Sequence, residues 1–139
     1  MKKFNFKLEK ILRLRKFTEE ECKHQLSLAN AILSEIENNI KQMAVKRHNA
    51  AKNRFTDPMQ IMSWELYILR LDQETQKLEE DAVKAQLVVE EKRAAYLAAL
   101  RKLKAIEKLK EKRKEEYKKE VIYNDMLNND YLAAARSKT

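Results

Sequence analysis

The chain has 139 residues, with 30 Lys or Arg against 22 Asp or Glu for a formal net charge of +8, one Pro, one Cys and no Gly. Without glycine, tight turns that need a positive φ and loops that cradle phosphates are nearly excluded. Hydrophobic (44%) and charged (37%) residues are both plentiful and interleaved, which is the profile of a long helix or coiled coil and not of a disordered tail.

The N-terminal "MKKFNFKLEK" carries charges without an apolar core, so it does not read as a signal peptide. Steps of four and three from Leu8 then pass through Leu12, Arg15, Glu19, Cys22, Leu26, Ala29, Leu33, Ile36, Ile40, Met43, Arg47 and Ala50. That mean spacing of about 3.5 residues is the mark of left-handed coiled-coil packing. The lone Cys22 lies on this seam, excludes an internal disulfide and suits a reducing compartment.

The pattern breaks near the only proline. Asp57 can cap a new helix, Pro58 suits its first position, and Gln60 stands where a capping box would close. From Ile61 a second seam runs through Trp64, Ile68, Leu71, Thr75, Leu78, Ala82, Ala85, Val89, Lys92, Tyr96, Ala99, Leu103 and Ile106. The expected fold is therefore all-α, a long two-helix antiparallel coiled-coil hairpin forming a single domain over residues 1–139. Helix one should span about 6–53, the turn 54–57, and helix two about 58–133. Folding at the turn sets Leu8 against Leu103, Leu33 against Leu78, Ile40 against Leu71 and Arg47 against Trp64. After about Glu107 the second helix should overhang without a mate, although Tyr117, Leu127 and Tyr131 continue an apolar stripe. The longest uninterrupted apolar run, "AAYLAAL" at 94–100, is too short to span a bilayer.

Charge is uneven. Residues 1–16 carry seven basic residues against one acidic, and residues 101–119 ten against four, each segment net +6. Residues 57–100 carry five basic against nine acidic, net −4. A hairpin would bring both basic segments to its open end, a field that draws in an acidic partner. Catalytic and metal constellations are absent from the pattern: Cys22 and His24 point to different faces, and no pocket surrounds carboxylates such as Glu115 and Glu116. Neither an enzyme nor a cofactor is expected. Nucleic-acid binding is disfavoured, because the basic residues are interleaved with glutamates and do not lead directly into a leucine seam. A generic coiled-coil scaffold, or a rotary-ATPase stalk of another system, would share most of these features.

Three segments resemble the FliJ family of flagellar type III export proteins. They are "FNFKLEKILRLRK" at the start, "SWELYILRL" with Trp64 and Tyr67, and the basic "KLKAIEKLKEKRKEEY" of the second helix. The resemblance covers nearly the whole chain, with one departure at the ending "NNDYLAAARS", where Asp130 stands alone in place of an acidic pair. It implies a cytoplasmic, non-enzymatic component of the flagellar export apparatus, associated peripherally with its membrane-bound part and not inserted in the membrane. Its implied partners are the hexameric export ATPase, the cytoplasmic domain of the export-gate membrane protein, and export chaperones. Together with the charge pattern, it assigns Phe4, Phe6, Lys7, Lys10, Arg13, Arg101, Lys104, Lys108, Lys112 and Arg113 to the ATPase ring. Arg47, Trp64 and Tyr67 are assigned to the export gate.

Overall fold

The computed structural model describes residues 3–52 and 57–137. Two helices account for almost all of them, α1 (Glu9–Ala51) and α2 (Pro58–Ser137), and no strand occurs among the described residues. The expected all-α fold of two long antiparallel helices is borne out. Chain contacts divide it into one unit of Met1–Glu20 with Ala98–Thr139 and another of Glu21–Leu97. Both helices contribute to each unit.

The 3.5-residue seams are the faces that close. Along α1, Leu12, Ala29 and Ala50 are buried and the other seam residues half-buried, Arg47 alone excepted. Along α2, Leu71, Val89, Ala99 and Leu103 are buried, the rest of the seam is half-buried, and only Ile61 stays exposed. Thr75 sits in the seam at little cost, because its hydroxyl donates to the Leu71 carbonyl one turn back (2.8 Å).

In the unit of Glu21–Leu97, the antiparallel order is fixed by two contacts. The Trp64 indole N–H donates to the Ala50 carbonyl (2.7 Å), and Arg47 pairs with Asp72 (3.3 Å). The expected Arg47–Trp64 contact is replaced by a partner two turns further along α2. The cause is side-chain direction: helical side chains lean toward their own N-terminus, so in an antiparallel pair contacts form beyond the level of the Cα atoms. Leu33 also lines an open groove with Ala82, Val83, Gln86 and Leu87. The start of α2 is as expected, with the Met59 N–H donating to Asp57 Oδ1 (3.1 Å) and the Ile61 N–H to the Asp57 carbonyl (3.0 Å). Of the expected turn 54–57, only Asp57 lies within the described residues.

In the other unit, α1 begins three residues later than expected. Lys3–Phe6 are not helical, Lys7 and Leu8 form a turn, and the Glu9 N–H donates to the Phe6 carbonyl (3.1 Å). This irregular segment still packs. Phe6, Leu12 and Leu103 form a core cluster with Phe4, Leu8, Ile106 and Leu109 against it. Beyond it, Lys110 pairs with Glu9 (3.0 Å) and the Phe4 ring meets Tyr117 with centroids 5.6 Å apart. A non-helical chain can rise by more per residue than the roughly 1.5 Å of a helix, so a few residues before Glu9 reach Tyr117. The expected lack of mates after Glu107 is corrected accordingly: half-buried positions reach Val121, and the exposed stretch starts at Ile122. The helix itself runs on to Ser137, four residues past the expected end, through the helix-favouring "LAAAR".

Candidate partner-binding surfaces

The two basic segments fall in the same unit. Met1–Glu20 holds seven basic and three acidic residues and Ala98–Thr139 twelve and seven, so this unit is net +9. The unit Glu21–Leu97 holds eleven basic and twelve acidic residues, net −1. The whole formal excess of the protein is thus carried by one unit.

Of the residues assigned from the sequence to a ring contact, Lys7, Lys10, Arg13, Arg101, Lys104, Lys108, Lys112 and Arg113 are exposed. Lys104, Lys108 and Lys112 share one face of α2 with Glu107, Glu111 and Glu115, spacings at which opposite charges support the helix and partly neutralise one another. The two aromatic residues are placed differently. Phe6 is 7% exposed inside the core cluster, and Phe4 is half-buried on Tyr117. Their rings hold the N-terminal segment onto α2. Between that segment and residues 113–128 lies an open groove of about 780 Å³, lined by Lys3, Lys7 and Arg113 and by Glu116, Glu120 and Asp125. The mixed charge of the groove gives it no selectivity for either sign.

The residues assigned to an export-gate contact lie in the other unit. Trp64 is half-buried with its indole N–H engaged on Ala50, while Tyr67 is exposed on the adjoining turn. A second open groove, of about 770 Å³, passes between Lys46 and Asn49 of α1 and Met59, Ser63 and Tyr67 of α2. Arg47 is half exposed and its partner Asp72 nearly as much, so their ion pair contributes little stability. Met59, Met62, Leu66 and Leu69 expose apolar side chains next to Trp64 and Tyr67. Sequence reasoning passed over these, and over Leu14 and Phe17 in the basic unit, because they fall between seam positions. Their signal was available as apolar residues at helical spacing off the seam.

Among the described residues, no group of three or more His, Cys, Asp or Glu side chains is placed to hold a metal ion. No described helix is long and apolar enough to cross a membrane. A family model described as the flagellar FliJ protein matches residues 4–138. No curated protein and no solved structure matches the chain.

Proposed function

Because this chain belongs to the FliJ family and is thereby a flagellar export-related protein, we propose that it is a non-enzymatic, stalk-like coupling factor of the export ATPase. It contacts the ATPase ring through its basic unit and links the ring to the export gate and to export chaperones. The observation that carries this reading is a family match running from residue 4 to 138, over nearly the whole chain and not over one motif. The gathering of all excess positive charge in one unit supports it. In this reading the chain performs no chemistry of its own. It acts on a ring only if its contacts differ in strength between subunit states, since differential affinity alone shifts an equilibrium.

In this reading Lys7, Lys10, Arg13, Arg101, Lys104, Lys108, Lys112 and Arg113 meet an acidic part of the ring, with Phe4 and Phe6 holding the N-terminal segment in place. Trp64, Tyr67 and Arg47 belong to the export-gate contact. Exposed charges of this type act chiefly on association rate and weaken with salt. Reversal of Lys7, Arg13 and Arg101 to Glu, three exposed residues outside the Glu107–Glu115 face, should slow binding to purified export ATPase about tenfold. It should also blunt stimulation of the ATPase while helix content by circular dichroism is unchanged. The matched reversal of Lys41, Lys46 and Lys52 should leave ATPase binding near that of the parent. Equal losses from both sets would show that the partner reads net charge, and the assignment of the ring contact to the basic unit would fall.

A further inference from the structure

Past Tyr117 the two sides of α2 differ in kind. Val121, Asn124, Asp125 and Asn128 line the groove shared with residues 3–8. On the opposite side Ile122 (60% exposed), Tyr123 (62%), Met126 (60%) and Leu127 (49%) stand in water. At about 3.6 residues per turn these four fall in an arc of about 140° that also holds the exposed Lys119 and Asp130. Of the other charges within a turn of the four, Lys118 and Asp125 lie across the helix and Glu120 at the edge of the arc, with Glu120 and Asp125 bordering the groove. Neither Lys119 nor Asp130 takes part in the ion pairs found among the described residues. Lys119 has Glu115 and Glu116 one turn back, but Asp130 has no basic side chain a turn away, since Met126, Leu127, Ala133 and Ala134 hold those positions. The apolar stripe thus has a lysine at one end and an uncompensated carboxylate about 16 Å further along.

We propose that this face is covered by the same face of a second copy of the chain, antiparallel about a two-fold axis between Asn124 and Asp125. A two-fold contact of this kind pairs residues whose numbers share one sum. Here Lys119 meets Asp130, Ile122 meets Leu127 and Tyr123 meets Met126, each pair occurring twice. The charges choose the orientation. A parallel pair would set Asp130 against Asp130 and Lys119 against Lys119, and like-charge juxtaposition disfavours it. In the antiparallel pair Glu120 falls level with Asn129 of the second copy, and Glu115 and Glu116 level with Ala134 and Ala133, so no carboxylate is set against Asp130. Lys119, Tyr123, Met126 and Asp130 follow steps of four and three, a heptad seam in which a polar residue fixes register at some cost in stability. The contact is only about three turns long, so the dimer is weak. It closes at two copies, because each copy has one such face. This inference does not rest on the coupling reading above, because it concerns the purified chain alone.

The test is sedimentation velocity of the full chain from about 10 to about 300 µM, with helix content by circular dichroism as the control for folding. The parent protein should pass from monomer to dimer and grow no further. Asp130→Lys and Lys119→Glu each set like charges together twice in the dimer, and each should weaken dimerisation about tenfold or more at unchanged helix content. Combining Lys119→Glu with Asp130→Lys exchanges the two charges and should recover the dimer to within about threefold of the parent. In a parallel pair the exchange would restore nothing, because like charges would face each other before and after it. A parent that stays monomeric at about 300 µM would overturn the proposal and leave the face to a different protein. So would species larger than a dimer, a single variant that dimerises as the parent does, or a double variant as weak as the singles.

Discussion

Truncating Leu12 to Ala separates seam from surface more cleanly than any other single change. Leu12 is 2% exposed and packs in the cluster of Phe6 and Leu103, whereas Leu14, two residues on, is 59% exposed. Both substitutions remove the same three carbon groups, worth about 0.8 kcal/mol each when fully buried. For Leu12 this gives about 2.4 kcal/mol. A two-helix seam is open at its flanks, so little closed cavity is left behind, and the total stays near the lower end of the roughly 2–5 kcal/mol seen for Leu→Ala in cores. For Leu14 the removed groups are mostly in water already, and the cost should fall below about 0.5 kcal/mol. Urea unfolding followed by circular dichroism at 222 nm reads both. With a slope of about 2 kcal/mol per molar, Leu12→Ala should lower the midpoint by about 1 M and Leu14→Ala by a quarter of that or less. Equal midpoints for the two variants would refute the assignment of the 3.5-residue stripe as the buried face.

Two further changes probe the helix ends. Asp57→Ala removes the acceptor for the Met59 amide and should cost about 1 kcal/mol by urea unfolding, with Asp57→Asn recovering most of it. Trp64→Phe keeps most of the ring's apolar surface but deletes the donor to the Ala50 carbonyl. It should cost about 1 kcal/mol and speed amide hydrogen exchange in the last turn of α1 more than at Leu33, whereas uniform acceleration would mean that the bond does not hold that turn.

The stripes that close were legible residue by residue, because a 3.5-residue repeat permits only one face of each helix to stay in contact with its mate. The break at Asp57 and Pro58 was legible for the same kind of reason, since few sequences satisfy the first amides of a helix so economically. The start of α1 was not. The search for helical periodicity counted Phe6 as helical, yet Phe4, Asn5 and Phe6 alternate half-buried, exposed and buried. Such alternation is the period of an extended chain, and "FNF" carried that signal. Reading the segment as helix is why Phe4 was missed as the mate of Tyr117, whereas the Glu9 mate of Lys110 lies inside α1 and was missed because of the lean of the side chains. Arg47 was matched to Trp64 by counting Cα levels, and the lean of the side chains moved its partner to Asp72. The partner-binding residues were legible only as a charge pattern. Their exposure followed from the helix faces, but the burial of Phe6 depended on the path of the extended segment.

The indole bond at the end of α1 has a mechanical consequence. The carbonyl of Ala50 belongs to the last turn, where no amide of its own helix remains to meet it. Trp64 supplies that donor from α2, so the final turn of one helix is fastened by a side chain of the other. Spinning either helix about its own axis would swing the indole away from the oxygen and leave both groups without their partner. At that level the two helices are geared together, and a twist applied to one is carried into the other without passing through the connecting chain.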